Sequence, residues 1–347
     1  MLFPAAALLA LHLQPVVPSV PNRQPQLAAS NGIVAIAFGS GESIWLARST
    51  DNGRTFAPPA KVADLTRLGL GRHRGPRVVL TGNTIIVSAI SHESGNLTAW
   101  RSTDAGKTWS KPIVINDVPK AAQEGLHAMA ADPSGTVAAV WLDDRKAPGK
   151  RLFGAFSKDG GATWSRNVML YESPAGTICE CCHPSLFALG YGEFVTMWRN
   201  KLDGSRDFYT LHIFDGKPSG APRKQGTGTW KLEACPMDGG GIALTKAGLV
   251  TAWRREKDVY LYEPASHPRG GPEIKLATGQ DVALAANRKG AYVAWTTGKT
   301  VEVHVPNSAA PVKLSDNGTF PSLVALPDGA VLAAWEENGA IAARRLE

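Results

Sequence analysis

Beyond its first 13 residues the sequence has no apolar stretch long enough to cross a bilayer as a helix, so a spanning segment is excluded there. Runs of like charge are missing too. The 37 Lys and Arg against 30 Asp and Glu leave a net +7, and the charges are scattered singly, which suits an anionic ligand without demanding nucleic acid. Aromatic residues make up only 7%, and no stacking platform or recognised module accompanies the basic residues, so nucleic-acid binding is set aside. Cysteine is scarce, with four in 347 residues. Glycine (36) and proline (24) are plentiful in a chain that is 44% hydrophobic, which allows a large core and rules out a disordered or fibrous protein. At roughly 150 residues per domain the length suggests two domains, but one all-β propeller or barrel reaches the same length.

Residues 1–13 are apolar over the length of an export signal's hydrophobic region, yet the first Lys or Arg is Arg23. Three readings fit: an uncharged export signal, an N-terminal strand, or a start that lies upstream. Export to the periplasm or beyond is the expectation, with a folded domain over 14–347.

Three segments share one pattern: Ser49-Thr50-Asp51-Asn52-Gly53-Arg54-Thr55-Phe56, Ser102-Thr103-Asp104-Ala105-Gly106-Lys107-Thr108-Trp109, and Ser157-Lys158-Asp159-Gly160-Gly161-Ala162-Thr163-Trp164. They recur at intervals of 53 and 55 residues. Asp51, Asp104 and Asp159 can accept turn N–H groups. Gly53, Gly106 and Gly161 supply positive φ, and Phe56, Trp109 and Trp164 can pack back on a sheet. The segments resemble the Asp-box of the sialidase-like β-propeller superfamily, in which this turn is peripheral and structural rather than catalytic.

A looser period gives the rest. Seven apolar openings begin near residues 25, 76, 126, 184, 236, 281 and 321, each followed by a turn and a second strand, the latter over 33–38, 84–88, 137–141, 194–198, 249–253, 291–295 and 330–335. The last unit holds only three strands before Glu347. Gln14-Pro15-Val16-Val17, which resembles the outer-strand segment Lys111-Pro112-Ile113-Val114, can supply its fourth and close the ring. The prediction is one all-β propeller of seven four-stranded blades, with six as the alternative.

Loops at the openings of such a propeller face the central channel. All four cysteines fall in two adjacent openings, Cys179-Glu180-Cys181-Cys182-His183-Pro184 and Glu233-Ala234-Cys235-Pro236-Met237-Asp238-Gly239-Gly240-Gly241. Disulfides such as Cys182–Cys235 or Cys181–Cys182 are one reading. A copper or zinc site built from Cys179, Cys181, Cys182, His183 and Cys235 is another, and free or catalytic thiols a third. With Trp198-Arg199-Asn200 and Arg206-Asp207, these openings resemble a subgroup of sialidase-like bacterial proteins without an established activity. Arg67, Arg72, Arg74 and Arg77 with His73 form the most basic cluster, either a solvated loop or a guide for an anionic glycan.

A sialidase requires three arginines around a carboxylate, a tyrosine nucleophile with an activating Glu, and an Asp acid/base. The resemblance offers Arg23 and Arg74 as imperfect first arginines, Arg254 as a second and Glu233 as the activator, but Phe320 stands where the tyrosine is expected; no Asp is placed by motif, and Asp64 is only a candidate for the acid. Tyr260, Tyr262 and Tyr292 read as packing within strands. The ligand-binding candidates are Arg74, His127, Arg206 and Arg254; the catalytic candidates are Glu233, Arg254, Arg206 and Asp238. The expected ligand is a small molecule or a glycan, bound by a monomer.

Overall fold

The computed structural model of the chain describes residues 10–263, 271 and 273–347. Seven four-stranded antiparallel sheets follow one another along the chain, so this is a seven-bladed β-propeller. The six-bladed alternative falls because the two C-terminal units, 280–315 and 318–346, form separate sheets. Blades 1 to 7 begin with the strands Asn22–Ser30, Arg77–Thr81, His127–Ala131, Ser185–Gly190, Gly240–Thr245, Gln280–Asn287 and Gly318–Ala325. These seven inner strands line the axial channel. The second strands end in the tryptophans that the sequence places there: Trp141, Trp198, Trp295 and Trp335 are fully buried between blades.

The ring closes through the N-terminus, but three residues earlier than expected. Leu11–Leu13 pairs antiparallel with Ala340–Leu346, joining Leu11 to Ala343 and Leu13 to Ile341. Val16 and Val17 lie in the following turn, where Val17 bridges Val20. The prolines explain the shift: Pro15 and Pro18 have no N–H to give to a ladder, whereas Leu11–Leu13 keeps all of its donors. The strand that seals blade 7 thus lies inside the segment 1–13 assigned to export; residues 1–9 fall outside the described residues.

The three Asp-boxes form matching turns. In the first, Asp51 Oδ1 accepts the backbone N–H groups of Arg54 (3.0 Å) and Thr55 (2.9 Å), and the Thr55 hydroxyl donates to Oδ2 at 2.6 Å. Gly53 sits at φ 74°, and its N–H donates to Ser49 Oγ at 2.8 Å. The aromatics wedge against the preceding blade, Trp109 into the core between blades 1 and 2 and Trp164 into that between blades 2 and 3. An arginine of the preceding blade completes each box. Arg48 donates to the Ala105 carbonyl at 2.9 Å, Arg101 to that of Gly160 at 2.8 Å, and Arg345 to that of Asn52. The Asp-box is therefore a latch between blades as well as a turn.

The serine and threonine hydroxyls and the turn N–H groups hold Asp51, Asp104 and Asp159 below the usual carboxylate range. A carboxylate with a depressed folded pKa contributes stability above its unfolded pKa of about 3.9, and that contribution fades as pH falls toward the folded value. Urea midpoints are expected to be flat from pH 7 to about 5 and to drop below about pH 4. In an Asp51→Asn/Asp104→Asn double variant the acid drop is expected to be shallower, from a lower starting point at neutral pH.

Candidate functional site

One loop decides the geometry of the channel mouth. Residues 65–76, between the outer strand of blade 1 and the inner strand of blade 2, run across the axis instead of around it. A tight turn with Arg72 at φ 50° and His73 at φ 67° lets Gly71 and Arg74 exchange backbone hydrogen bonds at 3.0 and 3.1 Å. The His73 ring is thereby carried to the far side. Its Nε2 lies 2.9 Å from Asp281 Oδ1 of blade 6 and 3.9 Å from Asp238 Oδ1 of blade 5. The same ring packs against His183 of blade 4 at 4.6 Å and edge-on against Phe320 of blade 7 at 5.2 Å. Arg77, buried below, donates to the His73 and His127 carbonyls, and burial draws its pKa down to about 10. Arg72 is exposed and reaches Met237 Sδ of blade 5 at 3.3 Å.

Five non-glycine residues at blade entrances have left-handed backbone: Gln24, His73, Met237, Asp281 and Phe320, with φ between 51° and 67°. Side chains with a Cβ pay for that conformation with strain, and such strain gathers where a structure aims particular groups at a point. The glycine run after Asp238 has a packing cause. A Cβ on Gly239 would fall 2.2 Å from the His183 ring, and one on Gly241 would fall 2.6 Å from Leu284 Cβ.

The two mouth carboxyls have opposite tendencies. Burial raises the Asp238 pKa, and its Oδ1 has no hydrogen-bond partner. Arg254 Nε stands 2.8 Å from Asp238 Oδ2, though its N–H is not aimed along that line. Burial also works against ionisation of Asp281, but His73, Thr296 (2.6 Å) and Arg254 outweigh it and the pKa falls. One carboxyl biased to hold a proton and a neighbour biased to lack one thus both face His73 Nε2, at 3.9 and 2.9 Å. Behind it lies a cavity of about 200 Å³ lined by His73, Arg77, His183, Ser185 and Ser322. The cavity opens into an apolar channel of about 420 Å³ whose walls include Ala28, Ala130, Ala188, Ala243, Ala285 and Ala325.

Arg199 supports the mouth from below. It is 1% exposed and stacks on Phe208 (4.1 Å) and Trp230 (5.1 Å). It donates to the carbonyls of Arg206 (2.8 Å) and Arg254 (2.9 Å), and Arg254 covers the same indole at 5.4 Å. Asp207 fixes that indole by accepting the Trp230 backbone N–H at 2.9 Å. The Trp-Arg-Asn and Arg-Asp elements are thus parts of one support.

The cysteines divide. Cys179, Cys181 and Cys182 are buried, with Cys179 Sγ 3.8 Å from Cys181 Sγ and 3.5 Å from Cys182 Sγ. Arg206 donates to Cys179 Sγ at 3.3 Å. Contact with the other two thiols, with Arg199 and Arg206 nearby, lowers the Cys179 pKa, while burial pushes Cys182 up to about 12. All four cysteines are free, and Cys235 is exposed and stands outside the group. His183 also stands apart from the thiols, against His73.

Arg74 is engaged by the Glu124 carboxylate and carbonyl, and Arg23 pairs with Glu336 at 3.5 Å. His127 is fully buried against Ser88 at 2.8 Å, and burial lowers its pKa. Glu233 is exposed, and Asp64 lies at the outer edge of blade 1 with Lys61 and Ser43. Tyr260 and Tyr262 pack around Trp253 and Tyr292 is fully buried, so Phe320 is the aromatic ring at the mouth. Sequence reading marked Arg199 only as part of the Trp-Arg-Asn element, and missed Trp230 and the central part played by His73 and Asp281. The signals were the basic loop itself and the polar residue heading blade 6.

Comparison with known proteins agrees with this architecture. The BNR/Asp-box repeat matches residues 100–111. A curated sialidase of Bacteroides fragilis (strain YCH46) is 27% identical over 154 residues, covering 35% of this chain and 28% of its own length. The chain is a seven-bladed β-propeller that carries Asp-box repeats and is similar to sialidase-like propellers. Among solved structures, the α-L-arabinanase of Penicillium chrysogenum complexed with arabinobiose shares the fold at TM-score 0.57 and 13% identity, covering 98% of this chain and 97% of that one. The Hadza microbial sialidase Hz136 aligns at TM-score 0.51 and 16% identity, covering 94% of this propeller and 66% of its own chain. The curated match spans little more than a quarter of its relative's length.

Proposed function

We propose that this propeller binds an acidic saccharide at the mouth of its central channel, as an exported monomer. One observation carries the reading: a single imidazole, His73, is held by groups from blades 4, 5, 6 and 7 at the point where the channel opens. Arg254 beside that point and the exposed Arg72 provide planar cationic donors suited to a carboxylate. Asp238 Oδ1, which has no partner within the protein, provides an acceptor for a sugar hydroxyl. The fold relatives add support, since the Penicillium arabinanase holds arabinobiose. Export fits this reading provided that any cleavage falls before Leu11, so that the strand closing blade 7 survives.

An array of neutral, sialylated and uronate-bearing oligosaccharides tests the proposal. Binding is expected to favour acidic members, to weaken as salt rises, and to be lost in Arg254→Met while the variant keeps its far-ultraviolet spectrum. Retention on neutral members alone would refute it.

A further inference from the structure

We propose that Cys179, Cys181 and Cys182 bind one copper(I) ion, with the Met237 thioether as a fourth soft donor. The three thiols stand apart from the His73 centre, and the two sites meet only where Arg72 Nη1 donates to Met237 Sδ at 3.3 Å. Three observations support it. The first is spacing: sulfurs bound to one tetrahedral ion at about 2.3 Å are about 3.8 Å from each other. The thiols stand at 3.8 and 3.5 Å, with all three sulfurs within 4.8 Å of one another, so they are already gathered for a common ion. A disulfide needs about 2.05 Å and a rearrangement.

The second is the donor set. Met237 packs against the three buried cysteines, and among the described residues no carboxylate or imidazole joins the three thiols in a common group. Its left-handed backbone, φ 54°, turns the chain there against the preference of an unbranched side chain. Thiolate with thioether selects copper(I), whereas zinc sites take their fourth ligand from histidine, a carboxylate, another thiolate or water. Cys235, the remaining thiol, is exposed and outside the group.

The third is charge. A copper(I) ion on three thiolates carries two net negative charges in a buried place. Arg206 donates directly to Cys179 Sγ, and Arg199, whose carbonyl accepts the Cys179 N–H at 3.0 Å, is the second buried cation beside them. Such pairing is what a buried ionic group requires.

The test is anaerobic titration of the reduced protein with copper(I) held by bathocuproine disulfonate, followed by X-ray absorption. One ion per chain is expected to leave the chelator and to show a shell of sulfur alone near about 2.3 Å. Cys182→Ser is expected to weaken binding by more than about 100-fold, beyond the range of outer contacts, and Met237→Leu by about 10-fold or more. Cys235→Ser is expected to bind as the natural chain does. No copper uptake, a nitrogen or oxygen shell, or tighter binding of zinc would overturn the proposal. The absorption spectrum of the unmutated protein decides the matter even if a cysteine variant fails to fold.

Discussion

Trp198→Ala is expected to lower folding stability by about 3–5 kcal/mol, the cost of removing a large buried aromatic. The indole is fully buried in the core that joins blades 3 and 4, against Tyr171 at 4.7 Å and Tyr209 at 6.3 Å. Trp198→Phe separates packing from polarity. The Trp198 Nε1 has no hydrogen-bond partner, whereas that of Trp141 donates to Asp143 at 2.8 Å. Phenylalanine at 198 removes an unsatisfied buried donor while keeping an aromatic ring, so its cost should be well below that of alanine. At 141 the same change bares the buried Asp143 Oδ2, while Arg145 still holds Oδ1 at 2.9 Å, and should cost more than it does at 198. Urea unfolding of the three variants checks both statements.

Arg199→Met should have an effect of similar size by another route. Two well-formed hydrogen bonds to the Arg206 and Arg254 carbonyls disappear, and each buried acceptor left bare costs about 1–3 kcal/mol. A total loss of roughly 2–6 kcal/mol is expected, and Arg199→Lys should restore little of it because an ammonium cannot reproduce the planar fork. The change also reaches the mouth, since the freed carbonyls belong to the strand end carrying Arg254 and to the start of the Arg-Asp element. Saccharide binding should therefore fall even at temperatures where the variant remains folded. Unchanged stability in Arg199→Met would mean that the guanidinium is not the support described.

The architecture was legible in the sequence because it is repetitive. A turn of fixed chemistry every 53 to 55 residues, and a tryptophan closing most second strands, are local signals, and local signals survive without knowledge of the fold. The closing strand was placed three residues late because similarity to one outer strand was preferred over the proline positions that forbid a ladder. The site was legible only in part. Cys179, Cys181, Cys182, Asp238, Arg206 and Arg254 are marked by their place at openings, and the structure gathers the three thiols but leaves Cys235 in solvent. His73 and Asp281 are 208 residues apart, and what joins them is the path of one loop across the axis. That path depends on left-handed backbone at Arg72 and His73, for which arginine gives no sequence signal and histidine only a weak one. Trp230 lies in an irregular stretch between blades, where no period marks it.

The most direct measurement is calorimetric titration of the protein and its Arg254→Met and Trp164→Phe variants with a sialylated trisaccharide, a galacturonic-acid trisaccharide and neutral arabinobiose. Trp164 belongs to an Asp-box and so controls for the peripheral turns. The expected result is one site per chain for at least one acidic saccharide, with no heat in Arg254→Met and an unchanged isotherm in Trp164→Phe. Saccharide binding that survives Arg254→Met intact, or that vanishes in Trp164→Phe, would contradict a ligand site at the channel mouth.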